Sequence, residues 1–104
     1  MAVIYVDIDG VICNNTDGEY EQAKPIKSNI DKINILYEKE NRIILWTARG
    51  TTTDIDWYDL TKKQMEDWGV NYHKLLMKKP YYDLWIDDKC VNILDFETKM
   101  VENL

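Results

Sequence analysis

The chain has 104 residues, 45% of them hydrophobic and 31% charged, with a formal net charge of -6. That length suits a single domain, residues 1–104, with one compact core, and no apolar run reaches the length of a membrane span. The acidic balance argues against sequence-independent nucleic-acid binding, and the absence of a basic segment followed by a long apolar stretch argues against a secretory signal, so the cytoplasm is the expected compartment.

Residues 3–8 form a nearly continuous apolar run rich in β-branched residues, as in a buried parallel strand. Residues 11–25 are polar, contain Asn14, Asn15, Asp17 and Gly18, and read as a loop. From Ser28 a helical pattern begins, with Ile30, Ile33, Leu36 and Tyr37 on one face and Asp31 in the first turn. Asn41 reads as its left-handed stop. A second buried strand follows over 42–47, "RIILWT", and then a loop, "ARGTTTD". Residues 55–68 place Trp57, Leu60, Met65 and Trp68 at helical spacing, and Gly69 closes that helix. "YHKLL" reads as a short third strand, with the lone histidine, His73, in a structural role at its start. "KKPYYD" reads as a turn, because Pro80 cannot sit in a central strand, and "DLWID" as a fourth strand. A short helix is expected between Asp95 and Leu104. Alternation of this kind predicts an α/β fold with a small, mainly parallel sheet between helical layers.

In such sheets ligands bind beyond the carboxyl ends of the strands. The first strand ends at Asp7 and Asp9, the second at Thr47, and the fourth at Asp87 and Asp88, while Lys78 and Lys79 precede the fourth. A parallel sheet would gather these groups at one edge. Several carboxylates sharing a dry pocket would drive one another neutral unless a cation intervened. Mg²⁺ suits an oxygen-rich set that also holds a phosphate. A hydroxyl and an amine complement the oxygens of a phosphoryl group, and an in-line carboxylate could attack it to give an aspartyl-phosphate. Taken singly, each feature has an ordinary explanation: a turn after a strand, a β-forming threonine, a solvated lysine, a capping acid pair. Their joint placement at strand ends is what points to chemistry. Cys13 and Cys90 fit neither a zinc motif nor a redox pair and read as reduced thiols.

The stretches "VIYVDIDGVI", "RIILWTARG", "KKPYYD" and "LWIDD" resemble the haloacid dehalogenase (HAD) superfamily of phosphohydrolases. The wording "TARG" and "KPYYDLWIDD" is similar to small capless members described as capsule-biosynthesis-like or hypothetical hydrolases. The resemblance implies a Rossmann-like fold with the active site at the strand ends, and a Mg²⁺-dependent phosphatase acting through an aspartyl-phosphate. Asp7 would be the nucleophile and Asp9 the general acid and base. Thr47 and the Ala48 amide would hold the phosphoryl oxygens, together with Lys79, which directly precedes Pro80. Asp87 would bind Mg²⁺ with the Asp7 carboxylate and the Asp9 carbonyl, and Asp88 would act through water. Ile8 would point into the core. Position 78 departs from the related wording, which usually has glycine there.

Residues 11–27 and 50–54 are too short to fold into a cap. The open site would then admit large substrates or be covered by a neighbouring subunit of a homo-oligomer. Arg49 could pair with a second anionic group on a small phosphorylated substrate, a sugar phosphate or nucleotide, and Asn14 lies near the mouth. Two rival readings remain. A receiver-like phosphoacceptor shares the acidic cluster and Lys-Pro, but carries its adjacent acid pair on the first strand rather than the last. A catalytically silent binding module would keep the fold without turnover.

Overall fold

The computed structural model describes residues 1–104, the side chain of residue 103 apart. Its sheet has three strands, β1 (Val3–Val6), β2 (Arg42–Trp46) and β3 (Lys74–Leu76). All pairs are parallel and the order is β1-β2-β3. Helix α1 (Lys27–Glu38) joins β1 to β2, and α2 (Tyr58–Asp67) joins β2 to β3. Val6 stands opposite Leu45 and Trp46 opposite Leu76, so the three carboxyl ends lie side by side. This is the small parallel α/β arrangement expected of a Rossmann-like fold.

The strands form where apolar residues can be buried. Ile43, Ile44 and Leu45 are all inside, as a central strand requires. On β1 only alternate residues are inside. Val6 is buried and Ile4 partly so, while Val3 and Tyr5, on the other face, are 56% and 58% exposed. That face of β1 carries no covering layer, so the three-layer arrangement is incomplete there.

Helix α1 buries Ile30, Ile33 and Leu36 as its spacing requires. Ser28 does not start it. The chain enters the helix at Lys27, with the Ile26 carbonyl accepting from the Asn29 and Ile30 amides. Nor does Asn41 stop it, because Glu40 takes the left-handed conformation at φ 69°. Asn41 is instead buried, accepting from the Ala2 amide at 3.0 Å and donating to the Leu36 carbonyl at 3.1 Å. It ties the end of α1 to the start of β1. Gly69, at φ 71°, does close α2. His73 has the structural role expected: its Nδ1 accepts from the Ile43 amide at 3.0 Å, and its ring stacks on Tyr37.

The expected fourth strand does not form. Residues 84–87 pair with no strand, and Leu84 and Ile86 are 75% and 88% exposed. Trp85 packs edge-on against Trp46 and Tyr82 instead, so ring contacts rather than a ladder of backbone hydrogen bonds hold this segment. The C-terminal segment forms two 3-10 turns, Ile93–Asp95 and Thr98–Asn103, rather than one helix. Phe96 anchors it in the core, and Lys32 of α1 donates to the Phe96 carbonyl. Between β1 and α1 a single 3-10 turn, Tyr20–Gln22, is the only named element, and between β2 and α2 there is none. Among the described residues no helix is long and apolar enough to cross a membrane.

Candidate active site

Asp7 follows directly on β1. Its Oδ1 accepts from the Ile8 amide at 2.8 Å, and its Oδ2 lies 3.8 Å from Lys79 Nζ. The Ile8 amide thus holds the Asp7 carboxylate, while the Ile8 side chain is buried as anticipated. Burial pushes the Asp7 carboxyl above its ordinary range; the Lys79 ammonium and the Ile8 N–H oppose that rise, and the Asp9 charge adds to it.

Lys79 reaches Asp7 because its backbone is pinned to the strand ends. Its amide donates to the Thr47 carbonyl at 3.0 Å, and its own carbonyl accepts from the Thr51 hydroxyl at 2.8 Å. The ammonium donates to the Tyr82 hydroxyl and lies over the Tyr82 and Trp85 rings. The preceding residue, Lys78, sits at φ 65°, in the left-handed region that favours glycine. This is the position at which the related wording carries glycine.

Gly10, at φ 90°, turns the chain after Asp9, and its amide donates to the Cys13 carbonyl. The Asp9 carboxylate is then clasped by Arg49, Nε to Oδ2 at 3.0 Å and Nη2 to Oδ1 at 3.0 Å. The Arg49 side chain is 0% exposed and that of Asp9 is 20% exposed. Arg49 Nη1 donates to Thr61 Oγ1 at 3.1 Å and to Gln64 Oε1 at 2.6 Å, both on α2. The expectation that Arg49 would pair with a substrate anion does not fit this geometry, because the guanidinium is buried and fully engaged. Thr61 and Gln64 were not visible as site residues in the sequence. The signal was two polar residues on the same helical stripe as Met65 and Trp68, opposite a buried cation.

Thr47 lies in the core at 0% exposure, its Oγ1 accepting from the Arg49 amide at 3.2 Å. Its hydroxyl therefore sits beneath the strand-end surface rather than on it, whereas Ala48 is exposed. Asn14 is exposed, with its amide and Oδ1 paired to the Lys24 backbone, which makes it a loop tie. Beside Arg49 and Gly50 lies a hollow of about 330 Å³, walled by Asp54, Asp56, Trp57, Met77 and Lys78.

Asp87 and Asp88 are exposed, on the segment that does not form a strand. The Asp87 carboxylate accepts from the Lys89 amide and from Trp85 Nε1, and the Lys89 bond leads in holding it below the usual range. Among the described residues no three His, Cys, Asp or Glu side chains cluster as metal ligands. Mg²⁺ needs a near-octahedral set of oxygens. Asp9 offers its carbonyl but not its carboxylate, which Arg49 clasps, and the Asp87 carboxylate is held by the Lys89 amide and Trp85 Nε1, so the side chains alone do not assemble that set.

No family model matches the chain, and no curated protein matches it. Solved structures do. A crystal structure of a structural-genomics target from Vibrio cholerae is similar at TM-score 0.86 and 20% identity, covering 99% of this chain and 95% of that one. A D,D-heptose 1,7-bisphosphate phosphatase from B. bronchiseptica, complexed with magnesium and phosphate, is similar at TM-score 0.57 and 20% identity, over 86% of this chain and 54% of that one. A chain in a Pnkp1/Rnl/Hen1 complex is similar at TM-score 0.59 and 17% identity, over 84% of this chain and 30% of that one. Identities this low speak to the fold, and one protein with that fold is a phosphatase.

Proposed function

We propose that the protein is a phosphomonoesterase that forms a phosphoryl-enzyme on Asp7. The observation that carries this reading is the approach of Lys79 Nζ to within 3.8 Å of Asp7 Oδ2, with Asp9 at the same strand end. An ammonium beside a carboxylate nucleophile offers a counter-charge to the oxygens of an incoming phosphoryl group. An Asp7 oxygen attacks phosphorus and the bond to the leaving oxygen breaks, Asp9 supplying the proton that oxygen needs. Water, giving a proton back to the Asp9 carboxylate, then attacks the phosphoryl group and breaks its bond to the Asp7 oxygen, releasing phosphate and restoring both side chains. Asp9 suits the proton-transfer role because its side chain is partly exposed and its Oδ2 keeps a lone pair beyond its bond to Arg49, whereas Oδ1 also accepts from Cys13 Sγ.

The similarity to a heptose bisphosphate phosphatase supports the phosphatase class. It and the hollow beside Gly50 favour a sugar phosphate over other esters, with the sugar against Trp57 and the carboxylates of Asp54 and Asp56. Dependence on magnesium rests on the resemblance and on that neighbour's being complexed with the ion, not on a ligand set assembled here. A silent binding module is the second reading, favoured by the exposure of Asp87 and Asp88 and by the engagement of the Asp87 carboxylate with the Lys89 amide and Trp85 Nε1.

The test is hydrolysis of p-nitrophenyl phosphate with and without Mg²⁺. The wild type should release nitrophenol, and Asp7→Asn should lose at least about a thousandfold in kcat. Phosphate binding without turnover in the wild type would favour the silent module.

A further inference from the structure

We propose that Arg49 is a positioning residue that fixes the orientation of Asp9 and ties it to helix α2, a role that rests on the phosphomonoesterase reading. A guanidinium has five N–H donors, and at Arg49 every nitrogen is engaged. Nε and Nη2 hold the two oxygens of Asp9, Nη2 also approaches Cys13 Sγ at 3.6 Å, and Nη1 is divided between Thr61 and Gln64. The Tyr20 ring closes over the guanidinium with 4.7 Å between Cζ and the ring centroid, and the Tyr20 carbonyl accepts from Gln64 Nε2 at 2.6 Å.

The carrier turn is fixed as well. The Arg49 amide donates to Thr47 Oγ1, and Gly50 follows at φ 81°, where an added Cβ would lie 2.1 Å from the Ile55 carbonyl oxygen. Arg49 therefore has one available placement, and Asp9 inherits it through a two-point contact that lysine cannot reproduce.

A buried ion pair is a poor source of stability, since well-packed apolar residues of the same volume hold a fold as well. Geometry is what this one supplies. It leaves the Asp9 carboxylate partly open at the strand end near Asp7, with its plane set by α2.

Loss of this control should appear in proton transfer. An alkoxide is a poor leaving group and needs its proton during bond cleavage, whereas p-nitrophenolate does not. The experiment measures kcat and KM of the full chain on p-nitrophenyl phosphate and on glycerol 3-phosphate, for the wild type, Arg49→Lys and Thr61→Val. Arg49→Lys should lose about a hundredfold in kcat on the alkyl ester and less than about tenfold on the aryl ester, with little change in KM. Thr61→Val removes one hydroxyl at nearly constant volume and should shift the same ratio about threefold, which keeps the test open if Arg49→Lys does not fold. Equal losses on both esters, or an unchanged ratio in both variants, would overturn the positioning role while leaving the phosphomonoesterase reading intact. Absence of turnover by the wild type on either ester would overturn that reading and the inference with it.

Discussion

Asp7 is at once the proposed nucleophile and a residue that burdens the fold. Because burial raises its carboxyl pKa, the native state holds a proton that the unfolded chain releases, in the window between the unfolded and folded values. Stability from this group is complete below the unfolded pKa and is lost as pH rises through the folded one. Asp7→Asn should therefore melt at a higher temperature than the wild type at pH 7, with the gap narrowing as pH falls toward 4. Equal melting temperatures at both pH values would contradict this. The two thiols differ in the same physical terms. Burial, with the Asp9 charge, pushes Cys13 up to about 12, while Cys90 is exposed. Iodoacetamide at pH 8 should alkylate Cys90 alone in the native protein and both cysteines after denaturation, as read by peptide mass spectrometry. The pairing of Asp7 with Lys79 was legible because each closes or precedes an apolar run. The Arg49 clamp was not, because it depends on Thr61 and Gln64, which an apolar periodicity passes over.

Among the elements, β2, α1, α2 and β3 follow from apolar spacing, each displaced by only a few residues. The fourth strand fails for a reason that spacing cannot reveal. "DLWID" has strand composition, but a strand also needs a partner, and Trp85 lies against other rings while the backbone pairs with no strand. The turns carry their own predictions. Lys78 in the left-handed region costs roughly 1–2 kcal/mol that glycine avoids, and glycine's greater freedom in the unfolded chain offsets part of this. Lys78→Gly should raise stability by about 0.5 kcal/mol in urea titration, while retaining the Lys79 contact with Asp7. Gly50→Ala should lower it by about 1–3 kcal/mol, since the added carbon meets backbone rather than a side chain that can move.

For the molecule as a whole, the parallel sheet does what the rule for such folds demands. It brings residues distant in sequence, Asp7, Asp9, Arg49 and Lys79, to the carboxyl ends of adjacent strands. It leaves one face of β1 open and Asp87 and Asp88 exposed on the unpaired segment, so the proposed chemistry rests on Asp7, Asp9 and the two cations that engage them. The most direct test of the account is to trap the covalent intermediate: turnover of p-nitrophenyl phosphate is quenched, the protein is reduced with borohydride, and the peptides are sequenced by mass spectrometry. Reduction of an aspartyl-phosphate leaves homoserine, predicted at position 7. Homoserine at another acid, or none while hydrolysis proceeds, would contradict the assignment of Asp7.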